Sequence, residues 1–391
     1  AMLKEEYNEY HFVPIYWMNT EDHDLEEIRP LHLAGKTFTM PHEDLGQATG
    51  LYGTRELESV WKELESLLPK FPEFHKGIEE IKHCYQRSST LAEAIRRLVV
   101  SWTKGSGLLV LDQNDAQLKA AFAPIAFQDI VSEQSGSLVA ETTEKLEHMG
   151  FKGQVMPREI NFFYHSAQGR RRIVRDAGGF AVLDTNLYFT TETLQAEFRQ
   201  HPERFSPNVV TRPLYQETIL PNLAYVGGPA EVHYWLQYKK VFEAYQIPFP
   251  LILARDSFLV IKERHLKHIR AENIELTDFI KSPAAVKESL VRKMEAVEVG
   301  GQGVDFPEGL IAQLENTEHA VDRWFADVDP GILKAAKAAW HKYHKRLEGL
   351  NKKRFVALKN KHARSLAWFQ DLEHTVFPGQ NLQERYNHVL S

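Results

Sequence analysis

Cysteine is almost missing from this 391-residue sequence. The single thiol, Cys84, excludes an internal disulfide framework and any zinc cluster built from thiolates. One thiol suits a reducing compartment. Its neighbours, from Ile81 to Arg87, read as an amphipathic helix, and a nucleophile would need a lowered thiol pKa, so Cys84 reads as structural. Long apolar runs are missing too, and no stretch can span a bilayer as a helix. The opening residues Ala1-Met2-Leu3-Lys4-Glu5-Glu6 put acid where a signal peptide needs a basic and then an apolar run. A cytoplasmic location with no membrane partner is expected. A basic surplus is also lacking: the formal net charge is −6, which argues mildly against a general nucleic-acid binder. The chain holds no internal repeat and no low-complexity tract.

What is present is enough to fold. At 43% hydrophobic the chain can bury a sizeable core, and its length suggests two or three domains. Four short apolar runs read as buried parallel strands: Phe12 to Met18, Gly107 to Asp112, Asn222 to Val226 and Pro250 to Ala254. Helix-spaced segments lie between them, at 56–68, 91–102, 116–148 and 230–245. Strand, crossover helix, strand is the grammar of a doubly wound α/β sheet. Residues 161–189 alternate in short runs and carry Arg170-Arg171-Arg172 and Gly178-Gly179, the pattern of a small antiparallel insertion. After about Thr277 the strand signals stop. Ile332 to Val376 reads as one long helix with Trp340, Tyr343, Leu347 and Leu350 at 3-4-3 spacing; the seam then slips to Phe355, Leu358, Phe369 and Leu372. The expected layout is core at 1–40, a helical insertion at 41–105, core at 106–150, the antiparallel insertion at 151–205, core again at 206–275, and a helical coiled coil at 276–391.

Open α/β sheets bind ligands beyond the carboxyl ends of their strands. That rule gathers Glu21, Asp22, His23 and Asp24 from the first strand, and Asp112, Asn114 and Asp115 from the second. The third and fourth bring Gly227, Gly228, Glu231 and His233, then Arg255 and Asp256. A histidine beside carboxylates can titrate near neutrality. The plain alternative is helix capping, with Thr20 as N-cap and Glu21 and Asp22 against the positive helix end. A metal site from Asp22, His23 and Asp24 is set aside, because adjacent residues rarely aim at one ion. Gly227-Gly228-Pro229-Ala230-Glu231 is a turn whose amides could meet an anion, but it lacks the dinucleotide fingerprint and the Walker lysine. A tight turn that needs glycine explains it as well. Ala34-Gly35-Lys36-Thr37 looks like a P-loop tail, yet Pro30 stands where glycine is required. Arg212 offers a planar fork for a carboxylate or phosphate, or an ion pair with Glu217. The long C-terminal helix is basic from Lys334 to Arg364, which suits a solvated coiled-coil face or, as the sharper alternative, RNA.

Three segments together resemble the bacillithiol biosynthesis cysteine-adding enzymes. They are Pro14-Ile15-Tyr16-Trp17 running into Glu21-Asp22-His23-Asp24-Leu25-Glu26-Glu27-Ile28; His201 to Ser206 with Asn208-Val209-Val210-Thr211-Arg212-Pro213-Leu214; and Gly227 to Val232 with Tyr234-Trp235. Asn161 to Tyr164 and Glu263-Arg264-His265 are similar to family segments as well, so the likeness covers nearly the whole chain. The resemblance implies a Rossmann-like parallel sheet core with inserted connecting-peptide segments and a C-terminal α-helical coiled-coil domain that pairs two subunits into a homodimer. It implies a ligase joining the cysteine carboxyl to the glucosamine amine of glucosaminyl malate. An ATP-derived adenylate is the expected means of activation by analogy with related cysteine ligases, with ATP or ADP as the candidate cofactor, and no metal is expected. The family's Gly-Gly-Gln-Gln type segment, which should open its Rossmann core, has no counterpart here, and the match stops short of the family's C-terminal end. This stretch alone is therefore expected to be inactive.

On this basis His23 deprotonates the acceptor's ammonium, oriented by Asp22 or Asp24, with Glu21 beside them. Arg212 or Arg255 holds the malate or an acyl-phosphate oxygen, the Gly227-Gly228 turn receives an anion, and Glu231 binds a substrate ammonium. Asn208, Thr211, Tyr234 and Trp235 complete the expected substrate contacts. Two competitors remain. One is a tRNA-synthetase-like RNA-binding protein, against which no Lys-Met-Ser-Lys-Ser type signature is found. The other is a non-enzymatic scaffold that dimerises through its coiled coil.

Overall fold

The computed structural model describes residues 5–33, 36–67, 69, 72–298, 308–326, 328 and 330–386. The opening residues 1–4 and the Ala34-Gly35 pair weighed above lie outside them. The chain forms two compact units that divide between Ser257 and Phe258.

The first unit holds the strands. In chain order they are β1 (Ile15–Met18), β2 (Pro30–Leu33), β3 (Lys36–Thr39), β4 (Leu109–Asp112), β5 (Phe162–Ser166) and β6 (Gly169–Asp176). Then come β7 (Gly179–Val182), β8 (Tyr188–Phe189), β9 (Phe205–Pro207), β10 (Ala224–Gly227) and β11 (Leu251–Ala254). β1 pairs with β4 in parallel, with Ile15 opposite Leu109 and Met18 opposite Asp112. β10 pairs with β11 in parallel, from Ala224 opposite Leu251 to Gly227 opposite Ala254. The four strands expected from apolar runs are thus present and parallel, but they are not buried as expected: Leu109, Val226, Leu251 and Leu253 are all about half exposed or more. Among the described residues, however, they form two separate two-stranded sheets and not one continuous layer.

The antiparallel insertion is a five-stranded sheet in the order β8-β7-β6-β5-β9, so Phe205–Pro207 joins the strands expected between 161 and 189. β2 and β3 form a hairpin where loop and helix were expected; its period is short and its apolar residues few, which hid it. Helical patterns were read too long. The 116–148 pattern is two helices, Ala116–Ser132 and Gln134–His148, broken at Glu133, whose φ is 57°. The 230–245 pattern splits into Pro229–Trp235 and Lys239–Ala244. Periodicity survives such breaks because both pieces still face one core. That core contains Phe122, Ile130, Phe162, Ile173, Tyr215, Trp235, Tyr238 and Phe242. Full burial of each large apolar side chain contributes roughly 1.5–3 kcal/mol. A satellite cluster around Phe38, Leu57, Trp61 and Ile78 holds the hairpin to the helices of the 41–105 insertion.

The second unit is helical. It begins ahead of the expected 275/276 boundary, because helix Glu263–Glu272 belongs to it: Ile269 packs with Phe279, Leu290, Phe369 and Leu372. His265 and Arg264 both reach Asp371, at 2.8 and 2.5 Å, pinning that helix to Ala367–Val376. The long helix expected over 332–376 is interrupted, as Pro330–Lys361 and Ala367–Val376. Beyond the break Leu366, Phe369, Leu372 and Val376 are all buried in the core of this unit. Helix Glu308–Ala326 lies against Pro330–Lys361. Their seam takes Trp340 and Leu347 but leaves Tyr343 and Leu350 exposed, so the expected 3-4-3 stripe is shared between two faces.

Candidate functional site

Parallel pairing sets the ends of β1 and β4 side by side, and the polar residues that follow them meet. Thr20 Oγ1 donates to Asp112 Oδ1, and Gln113 Nε2 donates to Asn19 Oδ1 at 2.5 Å. Lys119, in the first turn of helix Ala116–Ser132, is 3% exposed and reaches back under β1. Its Nζ donates to Glu21 Oε1, to Asn114 Oδ1 at 3.0 Å and to the Glu203 carbonyl at 2.8 Å. His165 Nε2, from β5, sits 3.1 Å from the same Glu21 oxygen. Burial opposes ionisation of Glu21, but Lys119 and His165 outweigh it and hold the carboxyl below the usual range. Burial draws the Lys119 pKa down against Glu21's attraction; three acceptors on its nitrogen fit the cation. At 1% exposure Glu21 cannot touch a substrate, so its expected catalytic place is corrected to that of a structural ion tying β1, β5 and the 116–132 helix together.

His23 stands beyond this buried knot with its side chain 43% exposed. Its Nδ1 lies 3.0 Å from Arg170 NH1 and 3.7 Å from Asp22 Oδ1. The orienting partner is therefore Arg170 of β6, not Asp22. Nor is it Asp24, whose carboxylate accepts from Glu27 N at 3.2 Å and caps the short helix Leu25–Ile28. The N-cap is thus Asp24 and not the expected Thr20, whose hydroxyl goes to Asp112. Burial, then the Arg170 charge, lowers the His23 pKa against the pull of Asp22, Asp24 and Asp44. The segment is held from below: Gly50 N donates to Thr20 O at 2.9 Å and Thr49 N to Asp22 O at 2.6 Å. Gly50 approaches so closely that a Cβ there would lie 2.7 Å from Thr20 Cβ.

A second group surrounds a cleft of about 430 Å³ between β1 and β10. Val13 to Trp17 and Asn19 form one wall, Ala224, Tyr225 and Val226 the other, with Arg212, Gln216, Asn222 and Glu231 between. Arg212 is the first residue of helix Arg212–Ile219. Glu217, its candidate ion-pair partner, instead accepts from Asn222 N at 3.0 Å and Asn222 Nδ2 at 2.7 Å. Glu231 accepts from Tyr225 OH at 2.8 Å, Tyr234 OH at 3.3 Å and Gly228 N at 2.7 Å. The anion received by the glycine turn is thus the protein's own carboxylate. A nucleotide phosphate at Gly227-Gly228 would have to displace Glu231, so these residues do not fit one. Arg255 closes on the same turn, its Nε 3.4 Å from where a Gly228 Cβ would stand.

Several expected substrate residues prove to be scaffold. Thr211 is fully buried, with Oγ1 donating to Asn161 O at 2.8 Å. Asn208 spends its side chain on Asn161 Oδ1 at 3.0 Å and Val210 N at 2.8 Å. Trp235 is 1% exposed and packs on Tyr225, Phe242 and Phe249. Tyr234 is 7% exposed and serves Glu231. Of the expected site residues, those left facing open space are His23, Asp22, Asp24, Arg212, the rim of Glu231, and Arg255.

The two groups are neighbours. The Arg212 charge acts on Arg170, which holds His23, and also on Tyr234 and Tyr225, which hold Glu231. Lys119, His165 and Arg170 were not singled out from sequence, since each lies on an element read only for periodicity. Among the described residues, no group of three His, Cys, Asp or Glu side chains is placed to hold a metal ion. None of their helices is long and apolar enough to cross a membrane.

Comparison with known proteins agrees with this architecture. Residues 1–256 match the family description "Bacillithiol biosynthesis BshC, N-terminal Rossmann-like domain". Residues 258–391 match "Bacillithiol biosynthesis BshC, C-terminal coiled-coil domain". A Flavobacterium johnsoniae protein named "Putative cysteine ligase BshC" is 36% identical over 98% of this chain and 71% of its own length. Proteins of the same name from Christiangramia forsetii and Cytophaga hutchinsonii are 35% and 32% identical, over 98% and 100% of this chain and 71% of their own lengths. With both halves of the chain matched and the Rossmann-like and helical units in those places, the chain belongs to the BshC family of bacillithiol biosynthesis.

Proposed function

We propose that the chain carries the chemistry of a cysteine ligase, forming an amide between the cysteine carboxyl and the glucosamine amine of glucosaminyl malate in the cytoplasm. The observation that carries this reading is a half-exposed His23 held by Arg170, with the Arg212 charge acting on that same Arg170, within a chain of this family. An amino acid and a sugar acid need cationic forks for their carboxylates and a polar group near the reacting carbonyl. Arg212 and Arg255 suit the malate, through planar bidentate donors. Glu231 suits a substrate ammonium on its rim side. His23 is the group we assign to the reacting centre, and activation of the carboxyl is assigned to ATP bound elsewhere than the glycine turn.

The chain spans 71% of the length of the first relatives named above. β1 and β10 face one cleft without pairing to each other. Turnover is measured for this chain with and without the unmatched part of a relative supplied in trans. The assay supplies cysteine, glucosaminyl malate and ATP and follows bacillithiol by mass spectrometry. His23→Ala should lower turnover by roughly 10²-fold or more, as loss of a group acting on the reacting atoms does. Near-normal turnover at saturating substrates would remove His23 from the chemistry.

A homodimer through the helical unit completes the proposal. Ile332, Tyr343 and Leu350 remain exposed on helix Pro330–Lys361, beside the face that packs toward helix Glu308–Ala326.

A further inference from the structure

Arg170 is buried, 8% exposed, and its guanidinium is fixed on every side. Nε donates to Ser206 Oγ at 2.9 Å, NH2 donates to the Pro207 carbonyl at 3.1 Å, and the plane lies 3.9 Å from the centre of the Phe163 ring. The remaining nitrogen, NH1, meets His23 Nδ1 at 3.0 Å. A guanidinium has donors only. The contact is a hydrogen bond only if His23 Nδ1 presents its lone pair, which puts the ring's single proton on Nε2. That nitrogen lies on the other side of the ring from Arg170, toward the exposed face.

The alternative tautomer would bring two N–H groups together at 3.0 Å, and so would the imidazolium. Asp22, at 3.7 Å, is too far to accept from Nδ1. The charged groups around the ring are Arg170 from β6, Asp22 and Asp24 on its own segment, and Asp44 from the loop beneath. Only Arg170 is within hydrogen-bond reach.

We propose that Arg170 is a positioning residue that locks His23 as the neutral Nε2–H tautomer, so that His23 offers this reaction a hydrogen-bond donor and not a base. The donor is aimed at an oxygen of the cysteine carboxyl, where negative charge develops as the amine adds. This rests on the assignment of His23 to the reacting centre. As the C–N bond forms, the carbon–oxygen bond to the ATP-derived phosphate that activates the carboxyl breaks, and the proton released by the attacking amine leaves with the departing phosphate. A neutral imidazole donor of this kind does not have to lose a proton to act.

The test is the ¹⁵N spectrum of the chain labelled at histidine, with His23 assigned by the loss of its signal in His23→Gln. The Nε2–H pattern, with Nδ1 unprotonated and unchanged between about pH 6 and pH 8, is expected. An Nδ1–H pattern or titration to the imidazolium within that range overturns the lock. Arg170→Met should release the ring, giving mixed tautomers and titration nearer an ordinary histidine; Arg170→Lys, which keeps a donor, should restore part of the wild-type pattern. The spectrum of the unaltered protein decides the point even where Arg170→Met fails to fold. Turnover then separates donor from base. His23→Gln keeps an N–H donor without basicity and should retain activity within about tenfold of wild type, against the roughly 10²-fold loss of His23→Ala. Equal losses in both overturn the donor role. Full activity in both instead defeats the placement of His23 at the reacting centre, leaving the tautomer decided by the spectrum.

Discussion

Glu21 and Lys119 are both nearly inaccessible, at 1% and 3% exposure, and each is the other's counter-charge. Removing one member of such a pair strands the other, which costs about 3–5 kcal/mol. Lys119→Met keeps the length of the side chain and should lower unfolding free energy by that order near pH 7, read by urea denaturation. The pH dependence fixes the cause. In the wild type the Glu21 pKa is lowered by Lys119 and His165 against burial, so its stabilisation is present above the unfolded carboxyl's pKa and is lost as pH falls through the folded one. In Lys119→Met the same carboxyl keeps its burial and loses its main cation. Its folded pKa then rises, and protonation relieves the strain. The difference in stability between the two proteins should therefore shrink as pH falls below about 5. A difference that stays constant, or grows with acid, would mean the pair is not ionised.

At the scale of elements, the turn from β5 to β6 decides where Arg170 stands. Gly169 has a φ of 100°, and a Cβ on it would lie 2.5 Å from the Gly46 carbonyl oxygen. The next residue's N–H, that of Arg170, donates to the same carbonyl at 2.8 Å. Gly169→Ala combines a disfavoured backbone with a collision against backbone, and should cost ~1–3 kcal/mol in urea denaturation. It should also loosen His23 from Arg170, visible as broadened His23 nitrogen signals. An unchanged midpoint would show that the turn yields easily. This turn also marks where legibility stopped. Apolar runs disclosed β1, β4, β10 and β11 as parallel strands, although their side chains are mostly half-buried or exposed, with Val226 and Leu251 at 60% and 63%. The polar residues after those strands were found by the strand-end rule alone. That Glu21 faces inward while His23 faces outward could not be read, because the residues are two apart on a chain that is no longer extended. Arg170 was visible only as one of three arginines. Its burial depends on Ser206 and Pro207, brought alongside by the β5–β9 pairing, which no local pattern announces.

For the molecule as a whole, the helical unit poses the question of its partner. Ile332, Tyr343 and Leu350 are 42%, 42% and 56% exposed. Spaced eleven and seven residues apart at 3.6 residues per turn, they fall within about 20° of one another around the helix. The adjacent face, beginning about 60–80° round the helix, is already engaged: Trp340 and Leu347 are half-buried, and His344 Nε2 pairs with Glu318 of the neighbouring helix at 3.0 Å. A stripe left over from one seam, at the same spacing, suits a second helix of the same kind, and a two-fold axis would set the stripe against its own copy. Tyr343→Glu with Leu350→Glu places two carboxylates in that seam, where each would be driven against its symmetry mate. Sedimentation should then show a dimer for the unaltered chain and a monomer for the double variant, with unchanged far-ultraviolet circular dichroism, since both side chains are exposed in the single chain. A monomer before substitution, or a dimer that survives it, would turn the stripe into ordinary solvated surface.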